Sequence, residues 1–433
     1  MKPVIGFEPL QYCTLSDVGM RRSHNQDAHA TILAKSLDGW HQEGHVFLIA
    51  DGMGGHAVGE KASAKAVREI PLTYLKHAHD GVANALRRAF VETNASIHAI
   101  GQKNPEFKGL GTTATALILR PEGAWFAHVG DSRGYRIRNG RIQQLTFDHS
   151  YVWELARRQK CAPEEIQGFR SNVIVRSLGP DALVQVDIEG PHVVQPGDVF
   201  VLCSDGLSGP LSDPEIGAVA SMFSPTEACQ FLIQLANLRG GPDNVTVMVA
   251  RVGEPNPALK VKKSRPLLQR LFRVHWSLPV LGSGVVLTVV ALLLSLAAHW
   301  AGVLFFVAAV ITIAAGVLGL VLHARAEKRR QAEEPPPPNI NVYREASCEI
   351  DGGVVERLAK SNADLQERMR EISPELVPDS FQPHVAKGEE LMQQQNWPEA
   401  FCELCRAMYE LAKSYNKSRN KPEVFQPLWD VPK

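Results

Sequence analysis

At 433 residues the chain exceeds what one ordinary core takes up, so two globular units with something between them are expected. Acidic and basic residues balance at 46 each, and a formal net charge of zero excludes the global positive field that a nucleic-acid partner would ask for. The seven cysteines are odd in number and mostly far apart, which reads as reduced thiols and not as a disulfide framework.

The N-terminus, MKPVIGFEPL, lacks a long apolar run, so no cleavable signal peptide is expected. Residues 1–253 alternate short apolar, β-branched runs (VFLIA, TATALIL, AWFAHVG, DVFVLCS, NVTVMVA) with helical stretches such as EKASAKAVREI. Several runs end at Asp-Gly or Gly-Asp, so the domain is read as α+β with acidic residues at strand ends. Residues 254–277 form a basic linker that includes Lys260, Lys262, Lys263, Arg265, Arg270 and Arg273.

Two uncharged segments follow, 278–298 and 303–322, each close to the roughly 20 residues that cross a hydrocarbon core as a helix. His299, Trp300, Ala301 and Gly302 leave room only for a tight turn, so 278–322 is expected to be a transmembrane helical hairpin. Arg325, Lys328, Arg329 and Arg330 make the far flank basic as well, and the positive-inside rule then places both termini in the cytoplasm of a cell-membrane protein. Residues 323–343 carry that basic run and the stiff spacer EEPPPP.

From 344 to 433 the composition turns to Glu, Leu, Ala, Lys, Gln and Met at helical spacing, which predicts a small all-α domain suited to binding a protein. Around Asn396–Ala400 the pattern suggests helix, turn, helix, as in one tetratricopeptide unit, yet no second copy appears and a solenoid needs roughly three. Cys402 and Cys405 form a CxxC without the second pair of a zinc ribbon, so buried packing is expected of them.

Five islands carry candidate chemistry. SDVGMRRSHNQDA holds Arg21, Arg22, Asn25, Gln26 and Asp27; arginine's planar fork suits a phosphate monoester. DGMGGH puts Asp51 at the end of a buried strand beside Gly52, Gly54 and Gly55, which allow a main-chain carbonyl to face a cation. GLGTTAT leads through AWFAHVGDSRGY to Asp131; VFVLCSDGL ends at Asp205 and Gly206; GGPDNVTVMV sets Asp243 and Asn244 before a strand. Four aspartates, each beside glycine and joined by an arginine, point to one site. Its oxygen-only donors suit magnesium or manganese better than zinc or copper.

The ordered set RxxNxD, DGMGGH, GxGTT, GDSRxY, SDGL and GGPDNVT resembles the PPM family of metal-dependent serine/threonine protein phosphatases, in particular its bacterial membrane-associated branch, over residues 10–252. That resemblance implies a four-layer αββα sandwich of two antiparallel sheets flanked by helices, holding two to three Mn2+ or Mg2+. It implies metal ligation by Asp51, the Gly52 carbonyl, Asp131, Asp205 and Asp243, with Asn25, Asp27 and Asn244 supporting them from behind. Arg22 is the implied phosphate clamp, and with Asp51 the implied catalytic pair. The implied reaction is hydrolysis of phosphoserine and phosphothreonine in proteins by metal-activated water, reversing bacterial serine/threonine kinase signalling, with kinases or their targets as partners.

Two positions depart from the family pattern: Gln26 stands where a carboxylate is common, and Met53 where some members have histidine. His56 comes too late to take that histidine's place. The stretch from Tyr151 to Gly179 resembles the family's variable flap, with Arg157, Arg158 and Arg170 as candidate substrate contacts.

Overall fold

The computed structural model describes residues 10–54, 59–103, 105–107, 109–166, 168–169, 173–253 and 341–418, with the isolated positions 307, 310 and 312. His56, Arg170 and the hairpin segment 278–322, apart from those three positions, lie outside the described residues. Among the described residues no helix is long and apolar enough to cross a membrane.

Among the described residues twelve strands build two sheets. The first runs β1 (Leu10–Asp17), β11 (Val245–Val252), β10 (Val199–Cys203), β7 (Arg133–Arg138), β8 (Arg141–Gln144), β12 (Arg344–Ser347). The second runs β2 (Asp27–Ile32), β3 (His45–Met53), β5 (Ala114–Arg120), β6 (Gly123–Val129), β9 (Asp187–His192), with the short β4 (Gly111–Thr112) beside β3. All of these pairings are antiparallel.

The unbroken apolar runs have a simple cause. A strand sends alternate side chains to opposite faces, and here both faces are covered. In β3, Phe47 and Ile49 enter the core between the sheets while Val46, Leu48 and Ala50 enter the outer one. In β11, Met248, Ala250 and Val252 point between the sheets, and Val245, Val247 and Val249 point outward into a third core. On the second sheet's outer face lie α2 (Gly59–His77) and α3 (Val82–Lys103); Leu86, Phe90 and Ile97 of α3 recur at helical spacing and are fully buried. The first sheet is covered by α6 (Asp213–Met222) and α7 (Pro225–Leu238). Helix α7 starts cleanly because Ser224 and Glu227 close a capping box ahead of Pro225. This is the layered sandwich that the resemblance implied.

The remaining short helices are α1 (Leu37–Gln42), α4 (Tyr151–Gln159) and α5 (Asp205–Ser208). Beyond β12 come α8 (Gly352–Ile372), α9 (Phe381–Gln393) and α10 (Trp397–Ser418). The all-α region is therefore present, and α9 and α10 form the expected helix pair, turning at Gln395 with φ +57°. Among the described residues, 341–418 form one compact unit with the sheets and helices that precede residue 254. Residues 344–347 extend the first sheet, and Val355, Ala400, Phe401, Leu404 and Cys405 share one core with Val219, Phe231 and Leu232. Four residues of mixed polarity carry no strand signal by themselves; the unpaired edge of β8 supplies it.

The seven cysteines are free thiols. Burial pushes Cys402 up to about 11 and Cys203 up to about 12, so neither is poised as a nucleophile.

His192, at the end of β9, is fully buried with neither ring nitrogen hydrogen-bonded, its ring edge-on to Phe126 at 5.9 Å. Burial first, then the charges of Arg136 and Arg138, pull it down to about 4. An unfolded histidine titrates near 6.5, so the fold excludes a proton that the unfolded chain binds, and stability present above pH 6.5 is lost progressively as pH falls toward 4. At pH 5 this amounts to about 2 kcal/mol. Denaturant unfolding at pH 7 and pH 5 should show His192→Leu losing about 2 kcal/mol less than the parent; equal losses would sink the assignment.

Candidate active site

Four chain-distant turns meet at one end of the sandwich. Asp51 lies near the end of β3, Asp131 follows β6, Asp205 follows β10 and Asp243 precedes β11. Asp131, Asp205 and Asp243 line a cavity of about 990 Å³. Asp27 stands directly opposite Asp51 in the β2–β3 ladder.

Backbone bonds fix each carboxylate's origin. The Asp51 amide donates to Thr113 Oγ1 (2.9 Å), and its carbonyl accepts from Thr112 Oγ1 (2.9 Å) and the Thr113 amide (2.8 Å), so the GTT motif is the cradle of Asp51. Ahead of Asp131, Gly130 is gripped by two stacked histidines whose centroids are 4.9 Å apart. Gly130 donates to His149 Nδ1 (3.0 Å), and its carbonyl accepts from His128 Nε2 (2.9 Å) and the His149 amide (2.7 Å). His149 Nε2 in turn donates to Asp187 at 3.0 Å. Burial first, with His149 beside it, lowers His128 to about 3, so it serves as a neutral strut.

Asn244 stitches the arginine loop to β11: its Oδ1 accepts from the Gln26 amide (2.8 Å), while Nδ2 donates to the carbonyls of Val18 (2.9 Å) and His24 (3.0 Å). Two glycines make the approach possible. Gly19, at φ +75°, faces the Asp243 carbonyl so closely that a Cβ would collide with it, and a Cβ on Gly206 would strike the Asn244 carbonyl. Asn25 donates to Ser16 Oγ (2.8 Å) and accepts from the Asp27 amide (3.1 Å). Arg22, from the same loop, donates through Nη2 to Asp243 Oδ2 at 2.7 Å. Arg21 has no described role here.

The electrostatics are lopsided. Burial raises Asp51 well above the usual carboxylate range, and Asp27, Asp205, Asp131 and Asp243 push it further. Asp131 and Asp205 are raised first by burial and then by neighbouring carboxylates. Asp27 rises to about 7 by burial, against the hydrogen bonds it accepts from Thr246 (2.7 Å) and Ser204 (2.8 Å). One oxygen each of Asp27, Asp131 and Asp205 is buried without a hydrogen-bond partner. Buried anions in such a cluster call for positive charge. Among the described residues no three His, Cys, Asp or Glu side chains already close around one point; Asp131, Asp205 and Asp243 flank a shared cavity instead. Its donors are oxygens throughout, which fits hard divalent cations.

A profile of the protein phosphatase 2C family matches residues 20–238, just over half of the chain. The chain belongs to the protein phosphatase 2C family. Members of this family are metal-dependent serine/threonine protein phosphatases that use manganese or magnesium. A putative 2C-type phosphatase of Streptococcus pyogenes is 37% identical over 239 residues, covering 54% of this chain and 93% of that protein. The serine/threonine protein phosphatase PstP of Mycobacterium tuberculosis is 35% identical over 266 residues, which are 58% of this chain and 47% of PstP, so the chain spans about half of that relative. The solved serine/threonine phosphatase of S. agalactiae is 34% identical, with a TM-score of 0.51, over 56% of this chain and 99% of that one.

Several groups around this site lie outside the motif aspartates and Arg22. Arg133 is half-buried and donates to Asp148 at 2.8 Å, stands 3.6 Å from Asp213, and lies 5.7 Å over Trp153. It sits inside the GDSR motif, so a signal existed. Asp27 stands opposite Asp51 while accepting hydrogen bonds from Ser204 and Thr246. Met53 is half-buried at the end of β3, opposite Gly111. In the flap, Arg157 pairs with Glu154 at 2.6 Å and lies 4.9 Å over Phe147, so its charge is partly spent locally. Arg344 also lines the cavity, and nothing in its neighbourhood of sequence hinted at that.

Proposed function

We propose that this protein is a membrane-tethered protein serine/threonine phosphatase that reverses bacterial serine/threonine kinase signalling. The observation that carries the chemistry is the convergence of Asp27, Asp51, Asp131, Asp205 and Asp243 with Arg22 at one end of the sandwich, where Asp131, Asp205 and Asp243 line a cavity. In this reading Asp51, the Gly52 carbonyl, Asp131, Asp205 and Asp243 would hold two to three Mn2+ or Mg2+. Bound there, such ions acidify water and offset charge on a phosphoryl group.

The chain's own residues do the rest. Arg22 offers a planar fork to the phosphoryl oxygens. The neighbouring carboxylates of Asp243, Asp51 and Asp205 keep its guanidinium protonated and aimed at the same volume. Asn244 and Asn25 hold the arginine loop and Asp27 in register, while Thr112 and Thr113 hold Asp51. Fixed donors and charges of this kind need no reorganisation when charge develops on the phosphoryl oxygens.

Tethering is supported by the two uncharged segments 278–298 and 303–322 with basic flanks, both termini being cytoplasmic in this reading. It would concentrate the enzyme near membrane-bound kinases and their targets. The test uses the full chain. Turnover of a phosphothreonine peptide should require Mn2+ or Mg2+ and stop in EDTA, and Arg22→Ala should lower kcat/KM about a hundredfold. Undiminished turnover in EDTA defeats the metal reading. Recovery of the protein from lysed cells wholly in the supernatant after ultracentrifugation defeats the tether.

A further inference from the structure

One wall of the catalytic cavity comes from the far end of the chain. Strand β12 lies antiparallel on β8 with Arg344 opposite Gln144. The ladder is extended by the Tyr343 amide donating to the Gln144 carbonyl (3.0 Å) and the Cys348 amide to the Gly140 carbonyl (2.8 Å). From this anchored position one guanidinium touches three elements. Arg344 Nη2 is 2.5 Å from the carboxylate of Glu164, in the 3-10 turn Pro163–Glu165 that follows α4. Its Nε is 3.6 Å from Asp213 at the start of α6, and its central carbon lies 5.8 Å over the ring of Trp153 in α4. Trp153, Glu164, Asp213 and Arg344 line the same cavity as Asp131, Asp205 and Asp243.

We propose that Arg344 is a positioning residue that latches the α4-and-turn unit, residues 151–165, at the mouth of the catalytic cavity, so that the C-terminal segment sets the wall a phosphoprotein meets. Partly exposed ion pairs add little to global stability. A planar guanidinium that pairs on two sides and stacks on a third element instead fixes a local position. A binding wall held in place acts mainly on the substrate long enough to reach it. The local balance argues against a direct substrate contact: Glu164 and Asp213 already face the Arg344 charge.

This inference rests on the phosphatase reading of the site, and its test separates the two. In the full-length protein with Mn2+, Arg344→Ala should raise KM for a phosphothreonine peptide of about ten residues roughly fivefold. Its kcat should move by less than about twofold, and KM for p-nitrophenyl phosphate should stay put. Hydrogen exchange across residues 151–165 should quicken. Glu164→Ala should reproduce these effects, the double variant should add nothing, and the charge swap Arg344→Glu with Glu164→Arg should restore most of the peptide KM. Equal losses on both substrates, additive single effects, or unaltered exchange across 151–165 would overturn the latch. A parent protein inactive on both substrates counts against the phosphatase reading, and the exchange measurement then still decides the latch.

Discussion

Asp51→Asn is expected to remove about a thousandfold or more of the metal-dependent turnover while leaving the fold intact. The backbone at this position is held by three hydrogen bonds to Thr112 and Thr113, none of which involves the carboxylate, so asparagine keeps the shape and loses only the charge. Bound metals supply several kcal/mol of transition-state stabilisation, and each 1.36 kcal/mol is about tenfold in rate. The same substitution has an opposite effect on the metal-free protein. Burial and four neighbouring carboxylates disfavour the Asp51 anion, so its removal relieves repulsion. Calorimetry in EDTA should therefore find Asp51→Asn melting above the parent, and added Mn2+ should raise the parent's melting temperature by more than the variant's. A variant that melts lower in EDTA and regains activity in excess Mn2+ would show that Asp51 acts structurally.

Phe401→Ala is expected to destabilise the catalytic domain itself by about 3 kcal/mol, although it lies far beyond β11, which ends at Val252. Phe401 is buried in the core that carries Val219, Phe231 and Leu232, and its ring is 6.5 Å from that of Phe223. Truncating a packed aromatic leaves a cavity that neighbours fill only in part, and this loss is a large share of the roughly 5–15 kcal/mol that holds a domain together. Denaturant titrations followed in parallel by helix content and by phosphatase activity should shift together. Were α8–α10 an independent domain, activity would keep its midpoint while helix content alone moved.

Much of the site was legible because its chemistry is written in local motifs. Strands buried on both faces read as unbroken apolar runs, and the acidic residue ending each run must lie at the rim of the sandwich. The carboxylate and glycine pairs, with Arg22, named a hard-metal phosphoester site before any contact was known. The place of Asp27 is less legible in its own neighbourhood of sequence: only the β2–β3 register puts it opposite Asp51. Arg133 stood in a quoted motif, but its partners Asp148 and Asp213 are 15 and 80 positions away, and burial alone makes the pairing matter.

The amino-acid pattern carried the α+β class, the acidic cluster and the family, with the two sheets implied through that resemblance, since periodicity and short motifs encode which face a side chain takes and which chemistry it offers. The tertiary structure alone decided that the chain's last helices complete the catalytic domain's core and that Arg344 reaches its cavity. Edge pairing on β8 depends on backbone groups every residue shares, and a buried contact depends on the partner surface, so neither leaves a mark in the local pattern.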